Sequence, residues 1–392
     1  MTYELSYNSW GTEEQEAIQK VIDSGRFTMG PYVEAFEKTF ADKMGSCFAV
    51  MTNSGSSANL IAVAALSFKK ENPLKPGDEV IVPAISWSTT YYPLMQYGLK
   101  LRFVDVELKT LNMDVKQLKA ALTPKTKALV GVSILGNPCA LDVMRTFCDE
   151  HNLIFFEDNC ESMGATLNGK NCGTFGDIGT FSCFFSHHIS TIEGGICLTN
   201  DEELYHLMLS IRSHGWTRHL PDSSPIYEKN PDDFFEAYRF IVPGYNVRPI
   251  EFSGAIGLEQ LKKLDQFVEI RRTNAELWKS LFSSDERFII QQENGTSSSF
   301  SFTLILHPDL PISREDVLQT LKENGIQFRI ITGGNFLRHD VIQHCNYTTA
   351  HEIINANIAH DRGFFVGNHP CDIRPEIERF HKVINEVTSA LV

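Results

Sequence analysis

Residues 128–158 read ALVGVSILGNPCALDVMRTFCDEHNLIFFED. An apolar run at 128–133 is followed by apolar residues at helical spacing around 141–151, then by a second apolar run at 153–157. Short apolar runs bounded by turn-formers read as buried strands, and the stretch between them as a helix. The same order extends outward on the N-terminal side. A strand at 47–51 leads through Thr52-Asn-Ser-Gly-Ser-Ser-Ala-Asn59 into an apolar helix at 60–66. Strands at 79–83 and 101–105 alternate with helices at 87–97 and 118–122. This alternation predicts an α/β architecture: a large, mostly parallel sheet covered on both faces, with its active site outside the carboxyl ends of the strands.

The flanks complete the plan. Thr12-Glu-Glu-Gln15 resembles a capping box, opening a helix that should stop near Gly25. Residues 32–40 repeat the helical pattern. Residues 220–233, LPDSSPIYEKNPDD, are rich in turn-formers and charge and predict an exposed loop. From Glu251 to about Lys279 the sequence is apolar at helical spacing and free of proline, which predicts one long helix. Beyond it, strands at 300–306 and 327–331 mix with helices at 314–324 and 375–391. The expected division is a large cofactor-binding α/β domain over 1–260, with N-terminal helices, and a small C-terminal α+β domain over 261–392.

Composition narrows the class of function. The chain has 392 residues, 42% hydrophobic and 21% charged, an ordinary globular balance. Its formal charge of −14 opposes nucleic-acid binding. No apolar run approaches the roughly 18 residues of a spanning helix, so no membrane partner is expected. The segment MTYELSYNSWGTEEQ has neither the basic start nor the apolar centre of a signal peptide. Nine scattered cysteines, with no CxxC pair, argue against a disulfide framework or zinc knuckle. A cytoplasmic protein with reduced thiols is the expectation.

Three segments carry chemistry. Asn53-Ser-Gly-Ser-Ser-Ala58 joins a strand to a helix, where free backbone N–H groups can hold a phosphate; plain helix capping is the alternative. Asp158 ends the strand of Phe155-Phe-Glu-Asp158. It is placed either to pair with a protonated pyridine nitrogen, making that ring an electron sink, or to cap a helix. Third comes Ser182-Cys-Phe-Phe-Ser-His-His-Ile-Ser-Thr-Ile-Glu-Gly-Gly195. Neighbouring histidines on an extended chain face opposite ways, and no chelating spacing lies nearby, so a metal site is not expected.

Taken in order, SGSSAN, EDNCESMGA, TFSCFFSHHISTIEGG and GYNVRPIEFSGAIGLEQLKKL resemble the sugar aminotransferase family of pyridoxal-phosphate fold type I. The family pattern is Ser-Phe-x-x-x-Lys-x-[Ile/Leu] followed by Glu-Gly-Gly. Here Ser182 matches the serine and Glu193-Gly-Gly195 the end, so the cofactor-linking lysine falls on His187. No lysine occurs between Lys170 and Lys229. Imidazole cannot make the covalent link to an aldehyde that a primary amine makes, but it can move protons near neutral pH. SWSTTYYPL, the double histidine, HGWTR and GYNVRP resemble most the family's histidine-bearing 3-dehydratases. Those act on a GDP-linked 4-keto-6-deoxy sugar, with L-glutamate as amino donor and pyridoxamine 5'-phosphate or pyridoxal 5'-phosphate held non-covalently.

The resemblance implies roles residue by residue. His187 would be the acid/base and Asp158 the partner of the pyridine nitrogen. Trp87 would stack on the ring, while Gly55, Ser56 and Ser182 cradle the phosphate. Asn246 would reach the phosphate from a neighbouring subunit, implying a homodimer with shared active sites. Glu161 stands where the family usually has glutamine near the ring hydroxyl. Arg218, Arg248, Arg329 and Asn335 are substrate-site candidates. An aminotransferase that leaves nitrogen on the sugar, an iron–sulfur 3-dehydratase, and a catalytically silent sugar-nucleotide binder are the competing readings.

Overall fold

The computed structural model describes residues 2–390. The strands of the large sheet are short and apolar: β1 Phe48–Thr52, β2 Glu79–Pro83, β3 Lys100–Val104, β4 Thr126–Val132, β5 Ile154–Asp158, β6 Ile178–Ser182 and β7 Gly195–Thr199. They lie in the order β1-β7-β6-β5-β4-β2-β3, and Tyr347–Thr349 adds an eighth strand beside β3. All pairings are parallel except those of β7, which runs antiparallel to both neighbours. β2, β5, β6 and β7 are buried along their whole length, as strands covered by helices must be.

The helices of this unit are α1 Thr12–Ser24, α2 Pro31–Met44, α3 Gly55–Phe68, α4 Ser88–Gln96, α5 Leu141–His151, α6 Glu202–Arg212 and α7 Glu251–Phe282. α3 is apolar nearly all round, with the run Ile61 to Leu66 wholly buried. Such a helix belongs inside a layer, not on its surface. α1 differs from the expected start by one residue. Gly11 is its N-cap, and the Glu14 side chain accepts from the Gly11 N–H at 2.7 Å, so Thr12 is already helical. It stops where foreseen, at Gly25, whose φ of 67° needs no side chain to be relieved.

The second unit has a three-stranded antiparallel sheet, Phe288–Ile289, Ser301–Leu306 and Gly363–Gly367. Helices Arg314–Glu323 and Arg374–Ala390 pack against each other and share one core with it. The expected strand at 327–331 does not form. Arg329 and Phe365 share a single bridge before the chain turns at Ile331–Gly333, with Thr332 at φ 41°. Residues 363–367 supply the strand instead. The division at 260/261 falls inside α7, which passes from one core (Leu261, Leu264, Val268) into another (Ala275, Trp278, Phe282). That second core also takes in Tyr3 from the N-terminus. Among the described residues, no helix is long and apolar enough to cross a membrane.

Trp278 holds the second core together. Its indole stacks on Phe302 at 4.8 Å and meets Phe282 at 4.4 Å and Phe380 at 5.0 Å. Truncating a buried aromatic costs the transfer energy plus the cavity left behind, about 3–5 kcal/mol. Trp278→Ala should show that loss in urea unfolding, with the cleft described next still able to form.

Candidate active site

The carboxyl ends of the parallel strands open into a cleft of about 640 Å³. Successive residues on a strand face opposite ways, and β5 uses this to separate two acids. Glu157 points away and accepts from the backbone N–H groups of Gly173 (2.7 Å), Phe175 (2.6 Å) and Gly176 (2.5 Å). Asp158 points into the cleft. Its Oδ2 accepts from Asn59 Nδ2 of α3 at 2.8 Å and from Thr90 Oγ1 of α4 at 2.7 Å, while Oδ1 accepts from the Cys160 N–H at 3.1 Å. Asn59 is fixed in turn by Thr180 Oγ1 at 2.6 Å, and Thr90 lies 2.7 Å from Ser86 Oγ. Asn59 and Thr90 are positioning residues that sequence reasoning did not single out.

The loop between β1 and α3 forms one wall. Ser54 caps α3 by accepting from the Ser57 N–H at 3.1 Å, the capping alternative, and the same turn lines the cleft. Gly55 is there because nothing larger fits: an added Cβ would lie 2.7 Å from the Ser182 Cβ and 3.1 Å from the Cys160 sulfur. Ser56, Ser182 and Trp87 line the same cleft. The Trp87 indole is 58% exposed although it sits at the start of a buried layer, which leaves its face available for stacking.

The paired histidines lie in a turn rather than on the extended chain expected, with the His187 N–H donating to the Phe184 carbonyl at 2.9 Å, and both rings pack on Phe300 while differing in burial. His188 is fully buried, with Nε2 3.2 Å from the Ser298 carbonyl oxygen. His187 is half-buried and lines the cleft, its ring 5.2 Å from that of Phe300. Its Nδ1 is buried with no hydrogen-bond partner among the described residues. Burial, helped by the nearby Arg271 guanidinium, pulls His187 down to about 4, so the imidazole is neutral near pH 7. Glu161 faces the cleft from beyond Asp158. Its Oε2 accepts from the Leu135 N–H at 2.9 Å and from Thr332 Oγ1 at 3.1 Å, two residues held at positive φ. Burial, with Asp158 adding to it, pushes Glu161 up to about 7.

Not every candidate reaches this cleft. Arg329 does, at its rim. Asn335 is buried elsewhere, accepting from the Leu337 N–H at 3.0 Å and donating to Asn357 Oδ1 at 2.9 Å. Arg218 is exposed and stacks on Trp216, 5.0 Å from its centroid. Asn246 is exposed and accepts from Arg248 Nε at 3.0 Å, and neither lines the cleft of its own chain. Among the described residues, no group of three or more His, Cys, Asp or Glu could hold a metal ion.

A strand end bearing an acid, a cradle that demands glycine and an exposed indole fit a phosphorylated aromatic cofactor. The model of the DegT/DnrJ/EryC1/StrS aminotransferase family matches residues 8–387. The chain belongs to that family. It is 51% identical over 388 residues to the GDP-4-keto-6-deoxy-D-mannose 3-dehydratase of Yersinia pseudotuberculosis, covering 98% of this chain and 99% of the relative. A solved GDP-4-keto-6-deoxymannose-3-dehydratase with a trapped PLP–glutamate geminal diamine superposes with a TM-score of 0.96. It is 49% identical, covering 97% of this chain and 100% of that one. A second such structure, a histidine-to-asparagine mutant with bound GDP-perosamine, gives 0.95 at 49% identity and the same coverage. The expected fold, a mostly parallel sheet of the pyridoxal-phosphate type, is therefore the observed one.

Glu161 places a group that takes up a proton near neutral pH in this cleft. Because its folded-state affinity for a proton exceeds that of the unfolded chain, its contribution to stability is full below about 4.5 and is lost as pH rises through about 7. Glu161→Gln should remove that fall. In melting curves from pH 5 to 8, wild type should lose stability relative to the variant by up to about 3 kcal/mol, from 1.36 kcal/mol per pKa unit.

Proposed function

We propose that this protein is a sugar-nucleotide 3-dehydratase. It removes the C3 hydroxyl of GDP-4-keto-6-deoxy-D-mannose, taking an amino group from L-glutamate through pyridoxal and pyridoxamine phosphate held without a covalent tether. GDP-4-keto-3,6-dideoxy-D-mannose, 2-oxoglutarate and ammonia are the products. One observation carries this reading. A half-buried imidazole, His187, stands where the family's lysine falls, and among the described residues no lysine contributes to the lining of the cleft. The full-length similarity to dehydratases, with PLP–glutamate and GDP-perosamine in the solved ones, supports it.

On this reading Asp158, oriented by Asn59 and Thr90, pairs with the cofactor's ring nitrogen. Trp87 lies against the ring, and Gly55, Ser56 and Ser182 hold the phosphate at the start of α3, where backbone N–H groups favour anions. Glu161 faces the ring hydroxyl. When bound, the cofactor supplies an amine and a conjugated ring that takes up electrons. His187 supplies what the protein must add: it takes the proton from the cofactor's C4′ carbon and returns one later. His188, bonded to Ser298, fixes the backbone behind it. Phe184 and Phe185, both lining the cleft, keep its mouth poor in water.

We also infer a homodimer with shared sites, working in the cytoplasm. Arg218, Asn246 and Arg248 lie outside their own chain's cleft, and the residues near them are unusually apolar for a surface. Tyr238 and Phe240 stack around Trp216, and Phe234 is 91% exposed. A partner's cleft gives these groups a role.

Incubation with GDP-4-keto-6-deoxymannose and glutamate, read by mass spectrometry, should show a sugar nucleotide lighter by one oxygen, its C3 hydroxyl replaced by hydrogen, together with ammonia and 2-oxoglutarate. An aminated sugar would make the protein an aminotransferase, and binding without turnover a silent binder. Borohydride treatment of the pyridoxal-phosphate-loaded protein should leave no cofactor fixed to the active site. His187→Asn should lower turnover by at least about 100-fold, the scale of lost general acid–base catalysis, while cofactor binding persists.

A further inference from the structure

Arg271 sits in α7 and is 4% exposed, yet it lines the cleft. A guanidinium removed from water is costly unless an anion answers it. None does: among the described residues Arg271 takes part in no ion pair. Its Nη1 donates to two backbone carbonyls, Phe300 at 3.0 Å and Asn368. Its Nε is buried with no partner. Burial lowers its proton affinity to about 10, so it still carries its charge near neutral pH. The cleft therefore contains a built-in cation without an acidic partner among the described residues, bonded to the backbone of Phe300, whose ring packs on His187.

We infer that Arg271, with Arg329 at the rim, forms a carboxylate subsite that receives the amino donor. The inference rests on the reading above and adds the donor's docking point. Of the anions the reaction handles, the donor's α-carboxylate is bonded directly to the carbon whose proton must be moved, so it must lie close to the base. The cofactor phosphate is accounted for at the start of α3, and the nucleotide's diphosphate is separated from the sugar's C4 by several bonds. Arg329 offers a second guanidinium: its Nη1 donates only to the neighbouring Phe328 carbonyl, at 2.9 Å, and it has no acidic partner among the described residues. A carboxylate seated there also offsets the charge that helps hold His187 low, leaving the imidazole a better proton acceptor when the donor is in place.

Calorimetric titration of the pyridoxal-phosphate-loaded protein with glutarate, a dicarboxylate with no amine to react, tests this. Wild type should bind glutarate in competition with L-glutamate. Arg271→Gln should weaken glutarate at least tenfold and Arg271→Lys by less, while GDP and inorganic phosphate bind within twofold of wild type. Equal glutarate affinity in folded Arg271→Gln overturns the subsite, as does a parallel loss of GDP or phosphate affinity, which would assign the guanidinium to a phosphoryl group. Should Arg271→Gln fail to fold, Arg329→Gln and the wild-type competition decide. No glutarate binding, in a protein whose aldehyde absorbance glutamate still bleaches, sinks the subsite and spares the dehydratase. Glutarate binding through Arg271 without bleaching sustains the subsite and sinks the dehydratase.

Discussion

Asp158 is the constraint around which the cleft is assembled. A carboxylate at the end of a buried strand needs donors, and the fold provides them from three places: α3 through Asn59, α4 through Thr90, and the strand's own continuation through Cys160. Each of those elements also brings something to the cleft. α3 brings the glycine-serine turn, α4 brings Trp87 at its start, and the continuation of β5 brings Glu161. Satisfying one buried acid thus fixes the relative positions of the surfaces that would grip the phosphate, the face and the edge of a planar cofactor.

The chemistry then follows from what stands on the opposite wall. A lysine there, through its unprotonated amine, would tether an aldehyde and release it again. On the proposed reading the imidazole of His187 passes protons only, and the cofactor is retained by its phosphate, its ring nitrogen and its stacked face. The surrounding charges are unusual for that reason. An uncompensated guanidinium lies near a neutral imidazole, and Glu161 holds its proton to about pH 7. With the donor's carboxylate against Arg271, the electrostatic balance of the pocket changes between its empty and loaded states.

Much of this was legible in the sequence because it is local. Strand–helix alternation, the long proline-free helix and the Gly25 stop depend on neighbours in the chain, and the structure has them. Gly55, Ser56, Trp87, Asp158, Glu161, Ser182 and His187 share one cleft because strand ends and the turns after them converge there. What escaped notice depends on distant partners. Asn59 and Thr90 look like ordinary helix residues until Asp158 is placed beside them. Arg271 hides in a charged stretch of a long helix, and only its burial without an acid sets it apart. The segment 327–331 has a strand's composition, but Thr332's left-handed turn and the better pairing of 363–367 with Ser301–Leu306 take its place. Asn335 was a substrate-site candidate by its place in a glycine-rich loop, and its amide bonds Asn357 of the helix 355–362.

α7 has a mechanical consequence. At 1.5 Å per residue its 32 residues make a rod of about 48 Å, seated in the large unit's packing at one end and in the aromatic core at the other. A hinge between the two units would have to break that rod. One half of the molecule is therefore not free to swing over the other, and the cleft keeps its walls in register.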